Sequence, residues 1–235
     1  MNTHGLSAEG QKIKPRKILV IGTLGSGKTT VAQRLARDTG FPYASIDECR
    51  IRYGDGTVSG EERAWENFLA VCRKPASAIL EFCGMGPRIG GVRDNLLDSA
   101  IPVSVIWLVF PLDTCIARAS RREKKIPAPY EWAPVAASVP LIHDSIEFTW
   151  DTIWREPGFH ATRQEFRSTT SVEVMYSVIR ESLHKRNVLD YGESEQVATA
   201  KKSELTGDDI MTLEKKVKAG IQKHYKSKSP GEKQK

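Results

Sequence analysis

The sequence predicts an α/β domain, a parallel sheet with helices on both faces built around a phosphate-binding loop. Three observations lead there. Apolar runs of strand length alternate with stretches of helical spacing from Lys17 to Leu183, the pattern that folds into strand–helix–strand units. The first unit carries Gly22-Thr23-Leu24-Gly25-Ser26-Gly27-Lys28-Thr29, which fits GxxxxGK[ST] at every fixed position between a strand and a helix. Val103 to Phe110 is the most apolar run of all, and is expected at the centre of the sheet.

Each element has its own signal. Lys17 to Ile21 reads as the first strand, and Val31, Ala32, Leu35 and Ala36 give the next segment helical spacing. Gly40 is placed to close that helix, and Phe41-Pro42 leaves it in an extended conformation. Tyr43 to Ile46 is expected as a second strand ending at Asp47. Ser59-Gly60-Glu61-Glu62 has the capping-box pattern before a helix with Ala64, Trp65, Phe68, Leu69 and Cys72 on one side. Ala78 to Phe82 is the next strand, followed by the turn Gly84-Met85-Gly86-Pro87 and a helix that includes Asp94 to Asp98.

After the apolar strand, helical spacing resumes at Asp113 and brings Arg118, Arg121 and Arg122 close together. Pro127, Pro129 and Pro134 then interrupt regular structure, which suits a lid. Ile142, Ile146, Trp150 and Ile153 mark an amphipathic helix that ends before Pro157-Gly158. Phe166 to Thr169 is expected as a last short strand, with Ser171 capping a helix whose buried face is Val172, Met175, Tyr176, Ile179 and Leu183. The expected organisation is a disordered tail over 1–14, one domain over 15–187, and a linker with a lysine-rich helix over 188–235. That last helix carries an apolar stripe of Ile210, Leu213, Val217, Ile221 and Tyr225.

Composition sets limits. At 40% hydrophobic and 27% charged residues, the chain has the balance of a soluble domain. No apolar run approaches the roughly 18 residues that cross a bilayer, and the N-terminus lacks a secretory pattern. A cytoplasmic protein without a membrane partner is expected. Cys49, Cys72, Cys83 and Cys115 form no CxxC pair and lack nearby histidines at zinc spacing, so they read as small buried side chains in a reducing compartment. The formal charge of +6 owes much to lysines near the two ends. These are either solvated or attract nucleic acid or a protein partner.

The loop residues dictate their own chemistry. Gly22, Gly25 and Gly27 allow turns that aim successive N–H groups at an anion, and the following helix adds its positive end. Thr23, Leu24, Ser26 and Thr30 complete the cradle, Lys28 reaches the β- and γ-phosphates, and the Thr29 hydroxyl is a Mg²⁺ ligand. A nucleoside triphosphate, by default ATP, is therefore the expected ligand. Neither a DxxG after an early strand nor an NKxD for guanine is present, which argues against a GTPase.

Asp47 and Arg50 form a DxxR arrangement directly after the second strand. The carboxylate can accept a hydroxyl proton while the arginine stabilises transferred charge; alternatively Asp47 caps a helix and Arg50 is solvated. Arg118, Arg121 and Arg122 either close over the triphosphate or form a basic surface. Glu81, the one charge in an apolar strand, holds Mg²⁺ through water, lies on an edge strand, or pairs with an arginine. The turn at Gly84 to Gly86 permits close approach of an acceptor, with Arg88 and Arg93 available for an anionic group.

The order GTLGSGKT, then IDECR, then DTCIARASRR with IPAP resembles the small P-loop kinases, above all the kinase domain of the 5′-hydroxyl polynucleotide kinase family. The resemblance runs from Lys17 to Pro129. It implies the three-layer P-loop NTPase fold with a helical lid, phosphate and metal contacts at Lys28 and Thr29, Asp47 as general base, Arg50 in support, and a nucleotide contact from Arg121 or Arg122. It further implies transfer of the γ-phosphoryl group of ATP to a hydroxyl of a metabolite, nucleoside or polynucleotide. The other reading is a nucleotide-dependent switch that engages a macromolecular partner through its C-terminal helix.

Overall fold

Lys17–Ile21 forms β1, buried at every position, and its alternate side chains feed two cores. Leu19 and Ile21 face one, Ile18 and Val20 the other. In this computed structural model, which describes residues 15–122 and 126–193, β1 is the middle strand of a five-stranded sheet in the order β2-β3-β1-β4-β5. All four neighbouring pairs are parallel. The expected tails, including the lysine-rich stripe from Ile210 to Tyr225, lie outside the described residues.

Helix α1 (Lys28–Thr39) follows β1 and closes at Gly40, whose N–H donates to the Ala36 carbonyl. Strand β2 (Tyr43–Ser45) is shorter than its apolar run suggests. Ser45 caps α2 (Ile46–Tyr53) by accepting the Glu48 N–H at 3.0 Å, so Ile46 and Asp47 begin a helix and Asp47 is not its cap. The next helix, α3 (Val58–Arg73), starts earlier than the Ser59 pattern predicts because Thr57 takes the Gly60 N–H at 3.1 Å. Strand β3 (Ala78–Glu81) and helix α4 (Ile89–Asp98) come next. Trp65, Phe68 and Cys72 of α3 and Val92 and Leu96 of α4 cover one face of the sheet. Truncating Phe68, which is fully buried, removes about 3–5 kcal/mol.

Strand β4 (Val103–Val109) lies beside β1, one position from the centre. It is flanked on its other side by β5 (Phe159–Glu165), a strand absent from the sequence expectation. The expected strand at Phe166 to Thr169 does not form. Register from Val103↔Phe159 to Val109↔Glu165 places the pairing just before it, and Phe166 stacks on Phe110 at 5.3 Å instead.

Helix α5 (Leu112–Ser120) leads into the proline-interrupted segment. Helix α6 (Val135–Thr149) continues into one π-helical turn, Trp150–Trp154. Helix α7 (Val172–Glu193) begins after Ser171, which accepts the Val174 N–H at 3.3 Å. Met175, Tyr176 and Ile179 are buried against α1 and α5 residues as expected, whereas Val172 is exposed. No described helix is long and apolar enough to cross a membrane.

Candidate active site

The phosphate-binding loop sits at the carboxyl end of β1, where ligands of open parallel sheets bind. Gly25 has φ +78°, and a Cβ there would fall 2.2 Å from the Cys115 carbonyl oxygen of α5. Only glycine lets the loop pass so close beneath that helix. Lys28 is buried, and its Nζ donates to the Thr23 carbonyl at 2.9 Å. The Thr23 hydroxyl donates to the Val139 carbonyl of α6 at 2.8 Å, tying the loop to that helix. Gly22 and Gly27 also have positive φ, Leu24 packs on the second core, and Thr30 is exposed on α1. The Ser26 hydroxyl is buried without a hydrogen-bond partner. An orphaned buried hydroxyl within the phosphate loop fits a phosphate oxygen.

Glu81 is buried at the end of β3, an interior strand, so the edge-strand reading falls. Its two oxygens each take a hydroxyl. Thr29 Oγ1 donates to Oε1 at 3.0 Å, and the Tyr43 hydroxyl donates to Oε2. Burial, followed by the Glu81 charge, pushes the Tyr43 hydroxyl well above the usual phenol range, so Tyr43 stays a donor. The threonine hydroxyl beside a carboxylate suits Mg²⁺ held directly by Thr29 and through water by Glu81. Replacing Glu81 with Gln is expected to raise the Mg²⁺ concentration for half-maximal turnover about tenfold, measured by metal titration at saturating ATP. An unchanged requirement would remove Glu81 from the metal site.

Asp47 and Arg50 lie one turn apart on α2, 3.4 Å between Oδ1 and Nη1. The Asp47 side chain is 37% exposed and Arg50 only 9%. Arg50 is not the solvated cation of the alternative reading, because Nε and Nη2 clasp Glu61 of α3 at 2.9 and 2.6 Å. Trp65 Nε1 donates to the same carboxylate at 2.9 Å. Burial pulls the Arg50 guanidinium down, but the Glu61 hydrogen bonds and neighbouring charges outweigh it and leave the group firmly cationic. Burial also opposes ionisation of Glu61, and Arg50 overcomes it, so the Glu61 carboxyl lies below its ordinary range. The indoles of Trp65 and Trp132 lie 5.7 and 5.3 Å from the guanidinium, and the Tyr130 hydroxyl accepts from Nη2 at 3.3 Å.

The phosphate loop meets the end of β3, where the Gly22 N–H donates to the Cys83 carbonyl at 3.4 Å. Ser45, the cap of α2, is in register with Glu81, so the helix carrying Asp47 and Arg50 starts beside the Thr29–Glu81 pair. Burial pushes the Cys83 thiol up. Arg118 lies over the Phe110 ring at 4.6 Å and reaches the Ser168 carbonyl at 3.4 Å. Arg121 ends α5, with Arg122 next to it, and both are exposed. Arg93 pairs with Asp94 at 2.8 Å and lies 3.7 Å from Glu156, with Nη1 buried and lacking a hydrogen bond, while Arg88 is exposed at the start of α4.

Sequence reasoning missed Glu61, Tyr130 and Trp132. The Ser59 to Glu62 capping pattern spans Glu61 without giving it a role. Its i,i+4 relation to Trp65 was the available signal that both point the same way.

No family model matches the chain. A shikimate kinase of Moorella thermoacetica is 33% identical over 113 residues, covering 45% of this chain and 64% of that protein. The chain therefore matches less than two thirds of this relative's length. A second, from Flavobacterium johnsoniae, is 26% identical over 121 residues, 47% of this chain and 69% of that protein. Among solved structures, the shikimate kinase of Acinetobacter baumannii in complex with shikimate superimposes with a TM-score of 0.50 at 18% identity, covering 77% of this chain and 97% of that one. The parallel sheet, the loop and its flanking helices thus make up a P-loop kinase fold of the shikimate kinase-like type.

Proposed function

We propose that this chain is a kinase that transfers the γ-phosphoryl group of ATP to a hydroxyl of a small molecule. The observation that carries the reading is the Thr29–Glu81 pair at the phosphate loop with Asp47 and Arg50 close by, on the helix that starts from Ser45, the residue in register with Glu81. A phosphate cradle alone suits many nucleotide-binding proteins. A carboxylate held beside it supplies what a kinase needs in addition.

On this reading the loop amides, Ser26 and Lys28 hold the β- and γ-phosphates, and Arg118 lies where it can contact the nucleotide. The acceptor oxygen attacks the γ-phosphorus as its proton passes to an Asp47 oxygen, and the bond to the β,γ-bridging oxygen breaks to release ADP. Mg²⁺, when bound, neutralises charge on the phosphate oxygens. Arg50 orients Asp47 from 3.4 Å, and Arg121 and Arg122 are the residues that lid closure would bring to the phosphates. The kinase domain is assigned to residues 15–187 and to the cytoplasm, where ATP is supplied.

The similarity to shikimate kinases supports a small-molecule acceptor. A 5′-hydroxyl polynucleotide is the narrower alternative suggested by Asp47 and Arg50. The test is transfer of label from γ-labelled ATP with Mg²⁺ to a panel of metabolite alcohols, nucleosides and 5′-hydroxyl oligonucleotides, with Lys28→Ala as blank. Label in a small alcohol supports the proposal, and label in an oligonucleotide moves the acceptor to nucleic acid. Label released only as inorganic phosphate with every acceptor would replace the kinase by a nucleotide-dependent switch.

A further inference from the structure

We propose that Tyr130 and Trp132 are positioning residues for the transfer: from the segment ahead of α6 they hold the Arg50 guanidinium against Asp47 and tie its place to that of the phosphate loop. The proposal rests on the kinase reading and adds to it two side chains, outside α2 and α3, on which the base depends.

The contact between Asp47 and Arg50 is weak by itself. Nη1 stands 3.4 Å from Oδ1, and the Asp47 side chain is 37% exposed, so water competes for it. Such a contact lasts only while the guanidinium is kept from turning. That group presents five N–H donors in one plane, and Glu61 engages Nε and Nη2. Two residues of segment 126–134 act on the same group. The Tyr130 hydroxyl accepts from Nη2 at 3.3 Å, and the Trp132 ring centre lies 5.3 Å from the guanidinium carbon, within cation–π range. The two rings meet edge to face at 5.1 Å, so each steadies the other.

Their surroundings point to this role and not to core packing. Tyr130 and Trp132 are 48% and 52% exposed, and neither joins either of the two cores. The Arg50 side chain that they contact is only 9% exposed. Large aromatic residues that give half their surface to water while bonding one buried cation are placed for that cation.

The segment is also fastened to α6. Trp132 Nε1 donates to the Ile126 carbonyl at 3.4 Å, folding the segment on itself, and the Ser138 hydroxyl of α6 donates to the Ala133 carbonyl at 3.1 Å. The next residue of α6, Val139, takes the Thr23 hydroxyl of the phosphate loop. A line of contacts thus runs from Thr23 through α6 and Ala133 to Trp132, Arg50 and Asp47, without passing through the sheet. Transfer needs the γ-phosphate and the base at a fixed separation. This line joins the two.

The test is a double-mutant cycle on the full chain. Single-turnover transfer from γ-labelled ATP with Mg²⁺ is measured to shikimate, glucose and adenosine, following whichever labels fastest. Trp132→Ala is expected to slow transfer about tenfold and Tyr130→Phe about threefold, the scale of a displaced reacting group, with ATP affinity unchanged within about twofold. In the Asp47→Asn background the same substitutions should cost less than about twofold, because the carboxylate held through Arg50 is gone. A second readout needs no acceptor. Of the five tryptophans, Trp132 is exposed and the other four are at most 8% exposed, so acrylamide quenching reports on it, and Tyr130→Phe should raise that quenching as the segment loosens from Arg50. Equal losses in the two backgrounds would overturn the proposal, since a side chain that only supports the fold acts regardless of Asp47. Unchanged quenching in Tyr130→Phe would overturn it too. ATP hydrolysis without transfer to any acceptor would instead sink the kinase reading itself.

Discussion

Asp47→Asn is expected to reduce phosphate transfer about a thousandfold, within the range for removal of a general base, while leaving ATP affinity within about twofold. The structure separates these effects. The α2 helix is capped by Ser45 and not by Asp47, so the amide spares the cap and costs the favourable charge in the first helical turn, about 0.3–1 kcal/mol, together with the ionic part of the Arg50 contact. Asparagine keeps an oxygen that can still accept from Arg50, which remains tied to Glu61. Single-turnover transfer and calorimetric ATP titration on the same preparation make the comparison. A rate within tenfold of wild type would mean that another group takes the proton.

The second large effect is at Gly25. An alanine Cβ would sit 2.2 Å from the Cys115 carbonyl oxygen and 2.9 Å from its carbon. Both are backbone atoms of a packed helix and cannot swing aside. The residue must also hold φ +78°, which costs an L-residue about 1–2 kcal/mol. Gly25→Ala is expected to lose about 2–4 kcal/mol of stability and to weaken ATP binding by about a hundredfold or more, since the loop must lift off α5 and misdirect its amides. Gly40→Ala is the control. Its φ of +70° is similar, but nothing lies within 4 Å of the added carbon, so only the conformational cost, about 1 kcal/mol, should appear in thermal denaturation. Equal losses in the two variants would show that the contact with Cys115 does not matter.

What the sequence revealed depended on how local the cause was. The phosphate loop was legible because strand, glycines, lysine and helix are contiguous. Glu81 was legible as an oddity, a lone carboxylate in an apolar strand, although its Tyr43 partner comes from a neighbouring strand and left no spacing to read. The second strand was read one residue too long because Ile46 is apolar in either setting, and the Ser45 hydroxyl decides for the helix. Strand β5 was missed because FHATRQE is mostly polar. It is an edge strand whose pairing is dictated by β4. The Arg50–Glu61 clasp is tertiary: two helices must pack before the arginine finds its counterion, so Asp47 and Arg50 were visible and the residue that holds them was not.

Helix α6 with its π-helical turn is held at two points. Near its start the Val139 carbonyl takes the Thr23 hydroxyl, and at its far end the Trp154 indole donates to the Gly84 carbonyl at 3.1 Å. Those residues stand about 22 Å apart at helical rise, one at the phosphate loop and the other at the glycine turn after β3. A rod pinned at both ends does not swing. Pro140 and the π-helical turn interrupt its regular hydrogen bonding between those points, so the spacing between the phosphate loop and the turn at Gly84 is set by the two end contacts and not by helical regularity alone.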